Sequence, residues 1–103
     1  MWHVYLVRCE DRSLYTGIAT DVARRFEEHQ QGAGRGSRYL RGRGPLELAF
    51  QQPVGTRSLA LKVEQRIKKL SKAGKEDLVS GRNGIETLLG LIPSSRRKPR
   101  RIP

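Results

Sequence analysis

Two short stretches rich in β-branched and aromatic residues, separated by five residues, constrain the fold of this 103-residue chain more than any other feature. The first runs from Trp2 to Arg8 and the second from Leu14 to Ile18, and both compositions are typical of β-strands. The polar segment Cys9 to Ser13 between them predicts a hairpin in which Arg8 lies opposite Leu14. A loop one residue longer or shorter would change which side chains share a face.

This pairing sorts the side chains of the hairpin onto two faces of a sheet. The apolar face is expected to meet the core and carries Trp2, Val4, Leu6, Leu14 and Ile18, with Thr16 among them. The other face carries His3, Tyr5, Val7, Tyr15 and Gly17. We therefore expect the two tyrosines to lie near each other on the more polar face, where a functional site would form.

A helix is predicted next, over residues 21–31, with Thr20 as its N-cap and Gly32 as its stop. Its inward stripe at helical spacing starts from Val22 and contains Arg25, Phe26 and His29, so two polar groups share the face with two apolar ones. In a domain of this size, charged groups at inward positions need partners or a function.

The remaining elements are a strand and one or two helices. Leu46 to Gln52 is predicted as a third strand that ends before Pro53. A helix is predicted over residues 57–72, with Lys75 to Ser80 as a short addition. The helix is supported by apolar residues at Ala60, Val63, Ile67 and Leu70, by Thr56 as cap and by Gly74 as stop.

The predicted fold class is α/β (α+β): a three-stranded antiparallel sheet flanked by helices, in the order β-β-α-β-α(-α). Residues 1–81 form the expected domain, and residues 82–103 a basic, largely flexible extension. The chain carries a net charge of +11. The extension holds six Lys and Arg against one Glu, a net +5, which leaves +6 for the rest.

This charge favours an anionic partner, nucleic acid before an acidic membrane surface, with a merely solubilising surface as the alternative. The segment from Gly32 to Gly44 combines five glycines with four arginines and predicts a mobile basic loop. The candidate nucleic-acid contacts are Arg24, Arg35, Arg38, Tyr39, Arg41, Lys68 and Lys69. A flexible, solvated loop is the competing interpretation.

Cysteine content and hydropathy favour a soluble protein of the cytoplasm. The single cysteine, Cys9, has no internal disulfide partner. The apolar stretch from Val4 to Val7 is too short for a signal-peptide core or a membrane span.

Five residues in order carry a family resemblance: Tyr5, then Tyr15 within Tyr15-Thr16-Gly17, then Arg25, His29 and Glu64. With them the chain resembles the GIY-YIG nuclease family over roughly residues 2–78, and most resembles its small stand-alone bacterial members. His3-Val4-Tyr5 stands in place of the first motif, and Asn83 is a candidate for the family's asparagine.

The resemblance implies metal-dependent hydrolysis of a phosphodiester in DNA, with branched or damaged DNA preferred and RNA less expected. It implies that Glu64 holds Mg²⁺ or Mn²⁺, Arg25 stabilises developing charge and one of Tyr5 and Tyr15 activates water, with His29 as a further catalytic residue. Which tyrosine acts as the base stays open.

Simpler interpretations stand beside these roles. Tyr5 and Tyr15 suit strands on packing grounds alone. Arg25 is within helical reach of Glu28 or Asp21, and Glu64 of Lys68, so each charge could belong to an ion pair. His29 could interact with its helix dipole.

Two other functions remain. The scaffold could bind nucleic acid without turning it over, or the chain could be a basic protein that associates with the ribosome or with RNA.

Overall fold

A three-stranded antiparallel sheet with three helices forms the structure, a computed structural model that describes residues 1–31, 45–82 and 84–85. The α+β fold class predicted from the sequence is confirmed. The elements in chain order are β1 (Trp2–Arg8), β2 (Leu14–Ala19), α1 (Val22–Gln31), β3 (Glu47–Gly55), α2 (Arg57–Lys68) and α3 (Lys72–Ser80).

Strand β1 lies in the centre of the sheet, in the spatial order β2-β1-β3. Arg8 pairs with Leu14, Tyr5 with Gly17 and Val7 with Tyr15. The predicted hairpin register is therefore confirmed. Because side chains alternate along each strand, Tyr5 and Tyr15 share one face of the sheet.

Helices cover both faces of the sheet. On one face Val4 and Leu6 pack with Val63 and Ile67 of α2 and with Leu78 of α3. The other face is not the polar surface expected from the sequence. It forms a second small core in which Tyr5, Val7, Cys9 and Ala19 pack with Val22 of α1, and Phe26 and Tyr15 lie against it. Any site built on the tyrosines is consequently enclosed by α1.

Asp21, and not the predicted Thr20, caps the start of α1. Its carboxylate oxygen Oδ1 accepts a hydrogen bond from the backbone N–H of Arg24 at 3.1 Å, and its backbone carbonyl accepts from Arg25. Either residue type suits an N-cap. The helix begins one residue later than expected because the aspartate takes that position.

Strand β3 was predicted to end before Pro53 but continues to Gly55. Pro53 lies opposite His3, and β3 is an edge strand. A proline that lacks a donor is tolerated where one side of the strand has no neighbour. The strand is therefore longer than the proline rule suggested.

The predicted helix over residues 57–72 is wrong at its C-terminal end, because α2 stops at Lys68 and α3 begins at Lys72. Thr56 caps α2 as predicted, by accepting from the Leu59 N–H at 3.2 Å. Ser71 caps α3 by accepting from the N–H of Gly74, which lies inside that helix and does not stop the one before it. A serine cap between two helices replaces the expected glycine stop.

A charged clamp fastens α3 to the central strand. The guanidinium of Arg8 donates to both carboxylate oxygens of Glu76, at 2.7 and 2.8 Å. Lys72 donates to the same carboxylate at 2.9 Å.

In the described part of the chain, no helix has the length and apolar content needed to cross a membrane.

Candidate active site

The two tyrosines of the hairpin meet on one face because of register, and Gly17 makes room for one of them. Gly17 lies directly opposite Tyr5. A Cβ atom added at Gly17 would lie 2.6 Å from Cζ and from the hydroxyl oxygen of Tyr5. The glycine thus allows the phenol ring to cross β2, and this packing gives a physical reason for the Tyr-Thr-Gly sequence.

Helix α1 places an imidazole and a guanidinium against that phenol. The Tyr5 hydroxyl lies 2.9 Å from Nε2 of His29, and the Arg25 guanidinium lies near enough for its positive charge to act on the phenol. The ring of Tyr15 meets the His29 ring edge-on, with 5.6 Å between centroids. The structure thereby brings together four of the five predicted catalytic residues.

The protonation of this cluster follows from its burial. Tyr5 is 1% exposed, and burial raises its pKa to about 12, although Arg25 acts in the opposite direction. Burial, followed by the nearby charge of Arg25, lowers the pKa of His29 below its ordinary value. At neutral pH the phenol therefore keeps its proton while the imidazole is neutral, and Nε2 is placed to accept from the hydroxyl.

Glu28 holds the guanidinium of Arg25. Its carboxylate oxygen lies 2.9 Å from Nη1 of Arg25, and this contact is the main reason why the pKa of Arg25 is raised. The same carboxylate lies 3.5 Å from Nε of Arg24. The ion pair considered from the sequence is present, yet the charge of Arg25 also acts on the buried Tyr5, so it is more than a surface charge.

Glu64 comes from the helix on the opposite face of the sheet. Its side chain is 14% exposed, and the carboxylate lies 3.3 Å from the Lys68 ammonium. The simple i, i+4 ion pair is therefore present. The negative charge of Glu64 is also felt by Tyr5, where it contributes to the raised pKa.

The donors near the phenol limit which divalent ion the site could hold. Within residues 1–31, 45–82 and 84–85, no three His, Cys, Asp or Glu side chains are grouped as a metal site. Glu64 is the predicted ligand whose charge reaches the phenol. A single carboxylate fits a Mg²⁺ that keeps most of its ligands as water and substrate oxygens, and does not fit a caged zinc.

The candidate nucleic-acid contacts divide into two groups. Arg24, Lys68 and Lys69 are exposed. Four others lie outside the described residues: Arg35, Arg38, Tyr39 and Arg41. Asn83 and most of the extension over residues 82–103 also lie outside them.

Sequence reasoning passed over two residues that shape the site. Glu28 was considered only as a surface partner of Arg25, although its i, i+3 and i, i+4 spacing to the two arginines indicated a shared ion pair. Gly17 served only to match the Tyr-Thr-Gly motif and was given no structural role, although the strand register already placed it opposite Tyr5.

Known proteins resemble this chain over most of its length. Residues 1–77 match the model of the GIY-YIG catalytic domain. A UPF0213 protein of Enterobacter sp. strain 638 is 60% identical over 84% of this chain and 83% of its own length. A UPF0213 protein of Citrobacter koseri is 52% identical over 94% of this chain and 95% of its own.

A solved structure has a similar fold. The solution NMR structure of a UPF0213 protein from Bacillus halodurans is 36% identical, with a TM-score of 0.51 over 92% of this chain and all of that one. Both the family match and the relatives span most of the chain. The chain therefore belongs to the GIY-YIG nuclease family, together with the UPF0213 proteins that it matches.

Proposed function

We propose that this protein is a metal-dependent endonuclease that hydrolyses phosphodiester bonds in DNA, with branched or damaged DNA as its preferred substrate. The observation that carries the proposal is the cluster on the face covered by α1, in which the Tyr5 hydroxyl lies 2.9 Å from Nε2 of His29 and both groups lie within reach of the charge of Arg25. Membership in a nuclease family and the net charge of +11 support a nucleic-acid substrate.

Arg25 is the group that meets the phosphate. Its side chain is 36% exposed, against 10% for the structural Arg8. A planar guanidinium binds two non-bridging phosphate oxygens at once and stabilises the charge that builds up during cleavage. Glu28 orients it beforehand, and a substrate phosphate replaces part of that contact.

His29 is the proton acceptor of the cluster. Its lowered pKa keeps the imidazole neutral at pH 7, and because Nε2 accepts from the Tyr5 hydroxyl, a proton reaches His29 through that hydroxyl. Tyr5, with its raised pKa and 1% exposure, positions His29 through their hydrogen bond and does not act as a free phenolate. Tyr15, half-buried and edge-on to His29, is then the tyrosine that orients the attacking water.

In the hydrolysis itself the water oxygen forms a bond to phosphorus and the bond to one ester oxygen breaks. The water gives its proton to the Tyr5 hydroxyl oxygen as that hydroxyl passes its own proton to Nε2 of His29, and the departing oxygen takes up a proton from solvent. Glu64 would hold a Mg²⁺ or Mn²⁺, and such an ion would supply Lewis-acid polarisation of the phosphate.

A second candidate is a module that binds nucleic acid on the same scaffold without turnover. The observation in its favour is enclosure: Tyr5 and His29 are 1% and 3% exposed, and Glu64 is paired with Lys68. On this alternative, the cluster serves to pack α1 on the sheet.

Cleavage and binding of nicked and branched DNA, measured over a titration of Mg²⁺ and Mn²⁺, separate the two. For an endonuclease, Arg25→Ala and Glu64→Gln each reduce cleavage by at least about 100-fold, while binding persists. Arg25→Lys is also impaired, because an ammonium does not reproduce the bidentate contact. Lys62→Gln and Glu27→Gln, at helix positions outside the cluster, are the matched charge controls.

The outcomes exclude each other. Cleavage that survives Arg25→Ala and Glu64→Gln at the level of the controls contradicts the proposed site. Binding without cleavage in the unsubstituted protein, with either metal, establishes the binding module instead.

A further inference from the structure

A pocket of about 290 Å³ opens beside the proposed site, where β2 ends and α1 begins. Its walls include Trp2, Ile18, Arg24, Arg25 and Glu28. Arg25 belongs both to this pocket and to the cluster around Tyr5. A ligand in the pocket would therefore lie next to the group that meets the phosphate.

The pocket has one aromatic wall, the indole of Trp2. The Arg57 guanidinium lies over the Trp2 ring, 5.6 Å from its centroid, and this cation–π contact holds the indole in place. The opening is slightly smaller than the roughly 300–1,000 Å³ of sites for drug-sized ligands. It is suited to one flat group of the size of a nucleobase with its sugar.

The opposite wall is charged and formed by the first two turns of α1. Asp21 is committed to the helix cap through its bond to the Arg24 N–H. Glu28 divides its carboxylate between Arg24, whose side chain is 73% exposed, and Arg25. An exposed ion pair such as the one to Arg24 is weak, so the Arg24 guanidinium can exchange Glu28 for a phosphate of a ligand.

We propose that this pocket is the subsite for the nucleotide adjoining the scissile phosphate, with its base stacked on Trp2 and its far phosphate bound by Arg24. The inference rests on the proposed function, because it takes the phosphate at Arg25 as the reacting one. Stacking on an indole accepts every base. The subsite therefore holds the strand in place and leaves base identity unread.

Trp2 is the single tryptophan of the chain, so its fluorescence reports directly on the pocket. The experiment uses the full chain with Glu64→Gln, which keeps the DNA intact. The probes are a 5′-phosphorylated thymidine trinucleotide and the same molecule with one abasic tetrahydrofuran unit at each position in turn. We expect the intact trinucleotide to quench Trp2, and one of the abasic probes to lose the quenching.

Affinity measured by anisotropy of the labelled probe completes the test. Trp2→Ala is expected to weaken binding by about 5- to 150-fold, the range measured for loss of one stacked base, while Trp2→Phe retains most of the affinity. Arg24→Gln weakens binding more than Lys62→Gln, which removes an equal charge outside the pocket. Trp2→Phe also keeps the test valid if Trp2→Ala does not fold.

The subsite is overturned if every abasic probe quenches Trp2 fluorescence as strongly as the intact one. It is also overturned if the Trp2→Phe protein is folded but has lost its affinity for the intact probe. Its failure differs from failure of the proposed function. Cleavage by the unsubstituted protein without base-dependent quenching removes the subsite and keeps the nuclease. Base-dependent quenching without any cleavage removes the nuclease, and the pocket is then a nucleotide-binding pocket at Trp2 that adjoins no scissile phosphate.

Discussion

The phenol of Tyr5 is held by neighbours from two different elements. Gly17 of β2 lies beneath it, His29 of α1 lies 2.9 Å from its hydroxyl, and the charge of Arg25, one helical turn earlier, acts on that hydroxyl. Each contact restrains a different part of the ring or hydroxyl. A change at any one of them is consequently expected to be felt by the others.

Gly17→Ala tests the first restraint. The new methyl group would lie 2.6 Å from Tyr5 Cζ, and the ring is buried, so it cannot move aside freely. We expect the free energy of unfolding to fall by about 1–3 kcal/mol, and cleavage to fall with it because His29 loses its partner.

Denaturant unfolding of a double-mutant cycle checks this expectation. In a Tyr5→Leu background the clash is removed, so Gly17→Ala should cost little. An equal cost in both backgrounds would show that the glycine matters for the strand and not for the ring.

His29 is predicted to titrate below its ordinary pKa of 6.5, because it is buried and faces the charge of Arg25, with Glu28 acting in the opposite direction and Tyr5 and Tyr15 against its ring. Cleavage that needs the neutral imidazole is then complete at neutral pH and is lost as pH falls through the lowered value. Between pH 6.5 and that lower value the unfolded chain binds more protons than the folded chain, so the free energy of unfolding also decreases as the pH is lowered.

An NMR titration of the imidazole signals measures this shift directly. The chain has two histidines, so the imidazole signal that remains in the His3→Gln protein belongs to His29. Arg25→Gln should raise the His29 pKa, since it removes a nearby positive charge. A His29 pKa at or above 6.5 in the His3→Gln protein would contradict the proposed neutral acceptor.

At the scale of elements, the sequence predicted what depends on short-range pattern. The five residues between β1 and β2 determined which side chains pair, and the stripe of Val63 and Ile67 determined the face of α2. Prediction from the sequence failed where the position of an element in the fold determines where that element begins or ends. Pro53 stays in β3 because that strand is at the edge, and Ser71 starts a new helix where the periodicity alone suggested continuation.

Packing of α3 gives the element-scale prediction. Glu76→Gln leaves the Arg8 side chain, 10% exposed, with Glu47 at 3.9 Å as its nearest remaining carboxylate among the described residues. We expect a loss of about 1–3 kcal/mol in the free energy of unfolding, less than for a fully buried pair because Glu76 is 38% exposed. Asp77→Asn, which removes an exposed contact to Arg82, is the matched control and should cost under about 1 kcal/mol.

The same pair has a pH signature. Hydrogen bonds from Arg8 and then Lys72 lower the pKa of Glu76 from 4.5 to about 2. Its contribution to stability is thus complete above pH 4.5 and is lost as pH falls towards 2. Acid unfolding curves of the unsubstituted and Glu76→Gln proteins should converge over that interval. Parallel curves would mean that the clamp does not fasten α3.

For the molecule as a whole, the sequence predicted which side chains form the site, but it did not predict that helix α1 would bury them. The set of Tyr5, Tyr15, Arg25 and His29 followed from the hairpin register, the helical stripe and the family resemblance, whereas the second core around Val22 and Phe26 depends on how α1 packs. Periodicity shows which side of a helix is apolar. It does not show that the tyrosine face will be covered.

Net charge acts on the molecule as a whole, and its distribution predicts separate effects on binding and chemistry. Removing residues 93–103 removes five basic residues: Arg96, Arg97, Lys98, Arg100 and Arg101. We expect the dependence of log Kd on log salt to become shallower by up to about 0.9 for each DNA phosphate that the tail no longer neutralises. The single-turnover cleavage rate at saturating DNA should be unchanged, because the proposed catalytic residues lie within residues 1–81.

A full-length chain with those five residues changed to glutamine separates charge from length. If the tail acts through charge, this variant and the truncation have the same salt dependence and the same saturating rate. A salt dependence equal to that of the unsubstituted chain would show that the tail makes no phosphate contacts. A lower saturating rate in both variants would place the tail in the reaction itself and would overturn the assignment of catalysis to residues 1–81 alone.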